Sequence, residues 1–329
     1  MRLPLAFFVF AALTPHARAE DIKPAIIYDL GGKFDKSFNE GAFRGGQKFT
    51  AETGIPVRDF EIQNDAQRQQ ALRRFARDGN SPIIAVGFSH ASALATVAPE
   101  FPATQFAIVD MVIDRPNVKS LVFREHEGAY VVGMLAAMAS QTGKIGFVGG
   151  MDIPLIRKFA CGYRQGAHDA KPAIEVIENM TGVTGAAWAD PVKGGELAHA
   201  QMDRGADVVI QAAGGTGLGV LRAVADAGKL AIGTDSNQDG LFPGHVLTSM
   251  LKHVDNAIIR GFEAARAGKW TNGVESLGLK EAGVGWSLDE DNRALISPAM
   301  KEAADRAVAA IVSGQITVHD YTLDSKCPL

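Results

Sequence analysis

The sequence lacks two features that would assign it to large protein classes. It has no basic excess, since 33 Lys and Arg residues face 37 Asp and Glu residues, for a net charge of −4. Beyond the first 19 residues it also has no apolar run that is long enough to span a bilayer. Nucleic-acid-binding proteins usually carry a basic face, so these absences argue against a nucleic-acid partner and against a second membrane span.

Signatures of common enzymes are also missing. A phosphate-binding Walker A loop needs G-x-x-x-x-G-K-[ST], but the Gly32-Lys33 pair is followed by Phe34. No His pair has H-E-x-x-H spacing, and no G-x-S-x-G motif occurs. We interpret His126–Tyr130 (HEGAY) as a helix start with Glu127 near its positive end, rather than as an acid–base site.

A glycine loop in the second half of the chain imitates a dinucleotide site without matching it. In Gly214–Gly219 (GGTGLG), a G-x-G-x-x-G motif that starts at Gly215 finds its third glycine one place early. The loop still opens a helix whose N-terminus presents free backbone N–H groups, and Asp235 ends the next strand. A carboxylate can accept two hydrogen bonds from vicinal hydroxyls, so this pattern suits a sugar without a phosphate.

The first 19 residues resemble a cleavable secretory signal. They contain one Arg, a short apolar core and a small-x-small site at Ala17–Ala19. A membrane anchor or a buried helix is the alternative interpretation. Cleavage before Glu20 would remove Arg2 and Arg18, which takes the basic count from 33 to 31 against 37 acids, a charge of −6. Because no Cys lies at the cleavage site, we expect no lipid anchor.

Only two cysteines occur, Cys161 and Cys327. In an oxidising compartment an even pair is naturally interpreted as a disulfide, which would fix the C-terminal tail to the helix that holds Cys161. Closing so long a loop adds up to roughly 5 kcal/mol in the chain-entropy model. Two separate thiols are the alternative.

Apolar runs alternate with amphipathic patterns along the chain, which predicts strands that alternate with helices. Strands are predicted at Pro24–Asp29, Val57–Ile62, Pro82–Gly87, Gln105–Asp110, Lys119–Arg124, Lys144–Gly149, Glu175–Asn179, Asp207–Ala212, Leu230–Thr234 and Val246–Met250. Helices are predicted at Ser37–Thr53, Asp65–Asp78, His90–Phe101, Gly128–Ser140, Leu155–Ala170, Lys193–Arg204, Thr216–Ala227 and Val254–Ala267. Ser37 and Asp65 are the expected N-caps of their helices. This alternation indicates two α/β units with parallel sheets and right-handed crossovers.

The two units resemble each other. Each begins with a strand that is followed by a loop and a helix, and each has a strand that ends in Asp, at Asp110 and Asp235. Two such sheets that face each other form a cleft. Ligands of open α/β sheets lie beyond the carboxyl ends of the strands, so we expect the informative residues just after strands.

Several stretches together resemble one family. They are DKSFNEGAFRG (Asp35–Gly45), GKIGFVGGMDIPLIRKFACGYRQG (Gly143–Gly166), GADVVIQAAGGTGLGV (Gly205–Val220), IGTDSNQDG (Ile232–Gly240), VLTSMLKHVDNAI (Val246–Ile258) and EAGVGWS (Glu281–Ser287). The sequence resembles the basic membrane protein family of ABC-transporter substrate-binding proteins, whose best-understood type is the purine-nucleoside receptor. The resemblance covers essentially the whole chain after the leader.

The resemblance implies a type I periplasmic binding-protein fold, with two Rossmann-like lobes joined by a three-segment hinge. Lobe 1 would comprise residues 20–122 with a return segment near 253–285, and lobe 2 residues 123–252 with the C-terminal segment near 286–329. It further implies a non-enzymatic, monomeric periplasmic protein without a cofactor that captures a purine nucleoside and docks on an ABC permease. A free purine base, a sugar, or a sensor role for a membrane receptor are the alternatives. Many relatives are lipoproteins, and the missing lipobox cysteine is a departure.

The family pattern assigns four ligand-binding residues to the first lobe. Phe38 resembles the aromatic residue that stacks on the base, with packing in the helix core as the alternative. Asn39 can read a purine edge because its amide both donates and accepts. Asp35 either binds the ligand or caps the helix. Asp110 binds base nitrogens or is a turn residue.

Four more residues are assigned to the second lobe. Asp235 resembles the ribose-binding acid, or else caps its own loop. Gly214 would bring bare backbone to the ligand, and Lys252 resembles a lysine near the sugar or Asp235, unless it is a solvated surface lysine. Phe159 either walls the cleft or packs in the core. Met151 and Asp152, just after a strand, are further candidates for the pocket.

Overall fold

The computed structural model describes residues 22–328, which include two six-stranded sheets. The central strands of the first sheet are fully buried and rich in isoleucine and valine, as expected for a parallel sheet that is covered on both faces. Its strands are β1 (Ala25–Tyr28), β2 (Arg58–Glu61), β3 (Ile83–Ala85), β4 (Phe106–Val109), β5 (Val118–Phe123) and β11 (Gly273–Leu277). They lie in the order β11-β5-β4-β3-β1-β2, and all pairs are parallel.

The second sheet repeats this topology. Its strands are β6 (Lys144–Met151), β7 (Glu175–Gly182), β8 (Val208–Ala212), β9 (Leu230–Asp235), β10 (Val246–Lys252) and β12 (Val284–Trp286). They lie in the order β12-β10-β9-β8-β6-β7, and β12 alone pairs antiparallel within this sheet. The two orders make β4 equivalent to β9 and β5 equivalent to β10. The similarity between the two halves of the sequence therefore corresponds to the same strand order in both sheets.

Helices flank both sheets. They are α1 (Phe38–Thr53), α2 (Gln67–Arg77), α3 (Ala91–Val97), α4 (Glu125–Ala139), α5 (Pro154–Ala170), α6 (Pro191–Asp203), α7 (Gly217–Asp226), α8 (Val254–Arg266) and α9 (Pro298–Val312). Helix α4 is apolar around most of its circumference and packs tightly against α5. Glycine permits this approach, because a Cβ at Gly133 or Gly166 would collide with the backbone of the facing helix.

The chain passes between the two sheets three times. It leaves the first sheet between β5 and α4, returns between β10 and α8, and leaves again between β11 and β12. The predicted architecture of two α/β lobes with parallel sheets is thus confirmed. The lobe limits at residues 122 and 252 stay a prediction, and β12 already pairs with β10 from Val284, inside the return segment predicted near 253–285.

Each of the ten predicted strands overlaps a strand of the structure, and each predicted helix overlaps a helix. Ser37 does stand at the N-cap position of α1, although its side chain makes no capping hydrogen bond, and the N-cap expected at Asp65 was wrong. The Asp35 side chain, not Ser37, accepts the first N–H groups of α1. Helix α2 begins two residues after Asp65, which instead pairs with Arg68. Strands β11 and β12 and helix α9 were not predicted.

Cys161 and Cys327 form the predicted disulfide, with their Cα atoms 5.6 Å apart. The bond fixes the tail after α9 to α5, where the Gln165 side chain also exchanges hydrogen bonds with the backbone of His319. Within residues 22–328, no helix is both long and apolar enough to cross a bilayer. The predicted signal at residues 1–19 lies outside the described residues.

Candidate functional site

A cavity lies between the two sheets at the carboxyl ends of their strands. The space between its lining atoms is about 610 Å³ including open solvent, and the centres of water-sized spheres can occupy about 70 Å³ of it. The eight residues to which the family resemblance assigns a ligand-binding role all line this cavity: Asp35, Phe38, Asn39, Asp110, Phe159, Gly214, Asp235 and Lys252. Their contacts with a ligand stay a prediction.

The loop between β1 and α1 is organised by Asp35 and Asn39. The Asp35 carboxylate accepts hydrogen bonds from the backbone N–H groups of Ser37, Asn39 and Glu40, at 2.8, 3.0 and 3.1 Å. Burial raises the pKa of Asp35, and these N–H groups oppose the rise. The Asn39 amide accepts from the N–H of Asp29 and lies within weak donor distance of the carbonyl oxygens of Asp29 and Leu30. Both side chains therefore shape the loop as well as line the cavity.

Aromatic rings enclose the cavity from both lobes. Phe38 packs against the main core while lining the cavity, and Phe159 is buried in that core. Phe159 therefore both walls the cavity and packs in the core, whereas the stacking of Phe38 on a base stays a prediction. Phe88, after β3, and Trp188, from the turn after β7, meet edge to face across the cleft with ring centroids 6.4 Å apart. The site thus offers flat apolar surfaces on several sides.

Asp110 and Asp235 occupy equivalent positions after the equivalent strands β4 and β9. Both have left-handed backbone, with φ of 69° and 68°, a conformation that aspartate tolerates better than most residues. Burial raises the pKa of each carboxyl to about 6, against the opposing effect of the Lys252 ammonium. Asp110 Oδ1 is buried without a hydrogen-bond donor among the described residues, so it can accept from a ligand.

Lys252 is buried, not solvated, with a side chain only 2% exposed. Its Nζ lies 2.6 Å from Asp110 Oδ2 and 3.0 Å from Glu125 Oε1, and over the rings of Phe38 and Phe123 at 5.0 and 4.9 Å. Burial alone would lower the pKa of Lys252, but Asp110, Glu125 and Asp235 raise it above its ordinary value. The lysine is therefore a charged donor at neutral pH in the cavity wall.

The lobes are closed on each other beside the cavity. Ser37 Oγ donates to Asp235 Oδ2 at 2.6 Å, and Ser236 Oγ donates to the Ser37 carbonyl at 2.7 Å. Arg44 donates to Ser236 Oγ at 2.9 Å, and the Gln238 amide donates to the carbonyl of Lys36 at 2.8 Å. These contacts join the start of α1 to the loop after β9.

Gly214 begins the turn between β8 and α7. It has φ of 56°, which favours glycine, and a Cβ there would lie 3.6 Å from the carbonyl oxygen of Trp188. The same turn lines the cavity. The backbone of Gly214 thus lines the space between the lobes, and its contact with a ligand stays a prediction.

Two weaker candidates lie elsewhere. Asp152 pairs with Arg157 at 2.7 Å on the surface, and Met151 lines a neighbouring shallow pocket instead of the cavity. Sequence reasoning in turn missed Phe88, Trp188 and the buried Glu125. Phe88 lies three residues beyond β3 and Glu125 two residues beyond β5, so the strand-end rule would have found them, whereas Trp188 lies six residues beyond β7.

Comparison with known proteins relates the chain to substrate-binding proteins of ABC transporters. The family model described as Bmp, ABC transporter substrate-binding protein PnrA-like, matches residues 23–322. The ABC transporter nucleoside-binding protein BmpA of Lactococcus lactis is 33% identical over 321 residues, covering 91% of this chain and 89% of that protein. An uncharacterized lipoprotein of Pyrococcus furiosus is 33% identical over 290 residues, covering 83% of this chain and 72% of that protein. Among solved structures, an ABC transporter solute-binding protein of Aeropyrum pernix superimposes with a TM-score of 0.83 at 29% identity, covering 91% of this chain and 93% of that one.

Proposed function

The chain belongs to the PnrA-like family of ABC transporter substrate-binding proteins, and on this premise we propose that it captures a purine nucleoside between its lobes. The family implies a small-molecule ligand, a permease partner and a non-enzymatic role. The identity of the ligand is our proposal. The nucleoside-binding relative from Lactococcus lactis supports it.

The observation that carries the proposal is that Phe38 and Asp235, from opposite lobes, line one cavity. A purine needs a flat apolar surface, and vicinal ribose hydroxyls need an acceptor. Phe38 and Trp188 supply aromatic faces, and Asp235 supplies a carboxylate. The unpartnered Asp110 Oδ1 suits an N–H of the base, and Lys252 suits an oxygen of the ligand.

A nucleoside uses both halves of this arrangement, which distinguishes it from the alternatives. A free base would leave Asp235 without hydroxyl donors, and a free sugar would leave the aromatic faces without a flat partner. A buried carboxylate without a donor costs about 1–3 kcal/mol, and an aromatic face without a flat partner loses its stacking contact, so such ligands should bind more weakly.

We propose further that capture is coupled to lobe closure, with the closed protein recognised by the permease. The closing contacts of Ser37 and Ser236 are few, so ligand affinity supplies the rest of the closure free energy. Residues 1–19 act as a cleaved signal, which leaves a monomer that diffuses freely in the periplasm. The Pyrococcus relative is called a lipoprotein. Intact-mass measurement of exported protein, expected to begin at Glu20 without lipid, separates the two forms.

The test is a thermal-shift screen of nucleosides, bases and sugars, followed by calorimetry on each ligand that raises the melting temperature. Stabilisation by one site follows RT ln(1 + [L]/Kd), so a tight ligand is evident. We expect a purine nucleoside to give the largest shift, and Phe38→Ala and Asp235→Ala each to weaken its binding. Phe101→Ala, outside the cavity, is the control. A larger shift from a base or a sugar, or full affinity in both variants, would refute the proposal.

A further inference from the structure

Glu125 is a buried acid that lies behind the cavity wall. It is the first residue of α4, directly after the first passage between the sheets, and it is 0% exposed. Its two carboxylate oxygens face two lysines: Oε1 lies 3.0 Å from Lys252 Nζ and Oε2 lies 2.5 Å from Lys158 Nζ. Glu125 does not line the cavity itself, so its effect on a ligand passes through the cavity residues that it faces, of which Lys252 is the nearest.

Three acids attract the Lys252 ammonium, namely Asp110, Glu125 and Asp235, and the charge of Glu125 influences which of the two aspartates it contacts. An ammonium group has three N–H donors, and Lys252 donates one of them to Asp110 in a hydrogen bond of 2.6 Å. Glu125 Oε1 attracts the same ammonium as an ion pair at 3.0 Å. Asp235 lies on the neighbouring strand, where it pairs in register with Leu251, and it attracts the same ammonium. Without the charge of Glu125, Lys252 would be drawn to Asp235, whose carboxylate would then be occupied.

We propose that Glu125 is a positioning residue, which holds Lys252 against Asp110 so that the Asp235 carboxylate stays available to the ligand and Lys252 keeps one donor for it. This inference rests on the proposed function only in that the cavity binds a ligand. Lys158 balances the charge of Glu125 and is itself held by a hydrogen bond to the Phe123 carbonyl at 2.9 Å. The arrangement links both lobes, because Asp110 follows β4 and Lys252 ends β10.

Because of the charges around Glu125, the positioning role predicts a change in the pH dependence of ligand binding. Glu125 is faced by Lys158 on α5, Lys252 on β10, Asp110 after β4 and Asp235 on β9, with His126 beside it on α4. Its negative charge contributes to the raised pKa of both Asp110 and Asp235. Removing that charge should lower both pKa values, and the acidic limit of ligand binding should move to lower pH.

The experiment compares wild-type protein with Glu125→Gln, Glu125→Asp and the charge-matched control Glu100→Gln, using the solute that the screen identifies. Glu100 is exposed, pairs with Arg73 and does not line the cavity. We expect Glu125→Gln to weaken binding about tenfold or more at neutral pH, because a displaced Lys252 would cost the ligand one charge-assisted hydrogen bond, which is worth about that factor. Glu125→Asp should recover part of the affinity, and Glu100→Gln should bind as wild type does.

A double variant separates positioning from folding. Glu125→Gln alone leaves Lys158 buried without its partner, whereas Glu125→Gln with Lys158→Met removes both charges. We expect the double variant to recover stability but not affinity, and its binding midpoint to lie at lower pH than that of wild type. Recovered affinity, or an unchanged pH midpoint, would overturn the positioning role.

Failure of the proposed function gives a different result. If the tightest solute is not a nucleoside, the same comparison runs with that solute. If no solute binds, a carbon-13 NMR titration of the Asp235 carboxyl in ligand-free protein reports the charge directly. A lower pKa of Asp235 in Glu125→Gln supports the inference, and an unchanged pKa contradicts it.

Discussion

Ser37 of the first lobe donates a hydrogen bond from Oγ to Oδ2 of Asp235 in the second lobe, at 2.6 Å. The same hydroxyl lies 3.2 Å from the carbonyl oxygen of Thr234. The contact closes the cleft and also holds one oxygen of the carboxylate that we assign to the sugar. The Asp235 side chain therefore takes part in closure and, in our proposal, in ligand binding.

The variant Ser37→Ala should favour the open form of the ligand-free protein. Losing one hydrogen bond to a carboxylate removes about 1–3 kcal/mol from the closed state. We expect a larger radius of gyration in small-angle scattering without ligand, and a return to wild-type size when ligand saturates the protein. Ser313→Ala, at the end of α9, is the matched control. An unchanged radius would mean that this bond does not control closure.

Ligand affinity should depend on pH around the raised pKa values of the two cavity carboxyls. Asp110 and Asp235 have pKa values of about 6, and the ligand needs them as ionised acceptors. From about one pH unit above 6 the affinity should be nearly constant, and it should fall as pH drops through 6, because protonation removes the acceptors. Calorimetry across this range measures the midpoint. Constant affinity down to about pH 4, the ordinary range of an aspartate, would contradict ligand binding by carboxylates whose pKa values are raised.

Asp235→Asn should stabilise the ligand-free protein at neutral pH. A carboxyl whose pKa is raised on folding favours the folded state while it is protonated, and that contribution is lost as pH rises through about 6. The neutral amide avoids this loss and tolerates the left-handed backbone. The variant should therefore melt higher than wild type at neutral pH, and the difference should vanish in acid. A lower melting temperature at neutral pH would mean that the ion pairing of Asp235 outweighs its burial.

Removing the disulfide should loosen the tail more than the cavity. With Cys161→Ser and Cys327→Ser combined, we expect a loss of about 2–5 kcal/mol in unfolding free energy. Ligand should still raise the melting temperature, because Cys161 does not line the cavity. Wild-type protein in reductant should behave like the variant, and reductant should not change the variant itself. Loss of ligand binding in the folded variant would show that the tail fixes the cavity wall on α5.

Much of the site could be predicted from the sequence because parallel strands bring their carboxyl ends to one edge of a sheet. Asp110, Asp235 and Lys252 all end or follow strands, so their common location followed from the strand predictions. The partners of these residues could not be predicted in the same way. Lys252 meets Asp110 across 142 residues of sequence, and no periodicity records such a pair.

The remaining errors have local physical causes. Ser37 matched the N-cap pattern, but Asp35 two residues earlier can reach three N–H groups and leaves the hydroxyl free for the other lobe. Strand β11 buries only Leu277 and so lacks an alternating pattern, and β12 has only three residues. Helix α9 did carry a signal, since Ser297 caps it and Pro298 follows at the first position.

Nucleoside capture is tested most directly by calorimetric titration of wild-type protein and Asp235→Asn with a purine ribonucleoside and its 2′,3′-dideoxy analogue. We expect wild-type protein to prefer the ribonucleoside by about tenfold or more, because both hydroxyls donate to one carboxylate. The variant should lose most of that preference while it still binds the dideoxy analogue. Equal binding of the two ligands by wild-type protein, or a preference that survives in the variant, would contradict the assignment of Asp235 to the sugar and with it the bridging of the two lobes by a nucleoside.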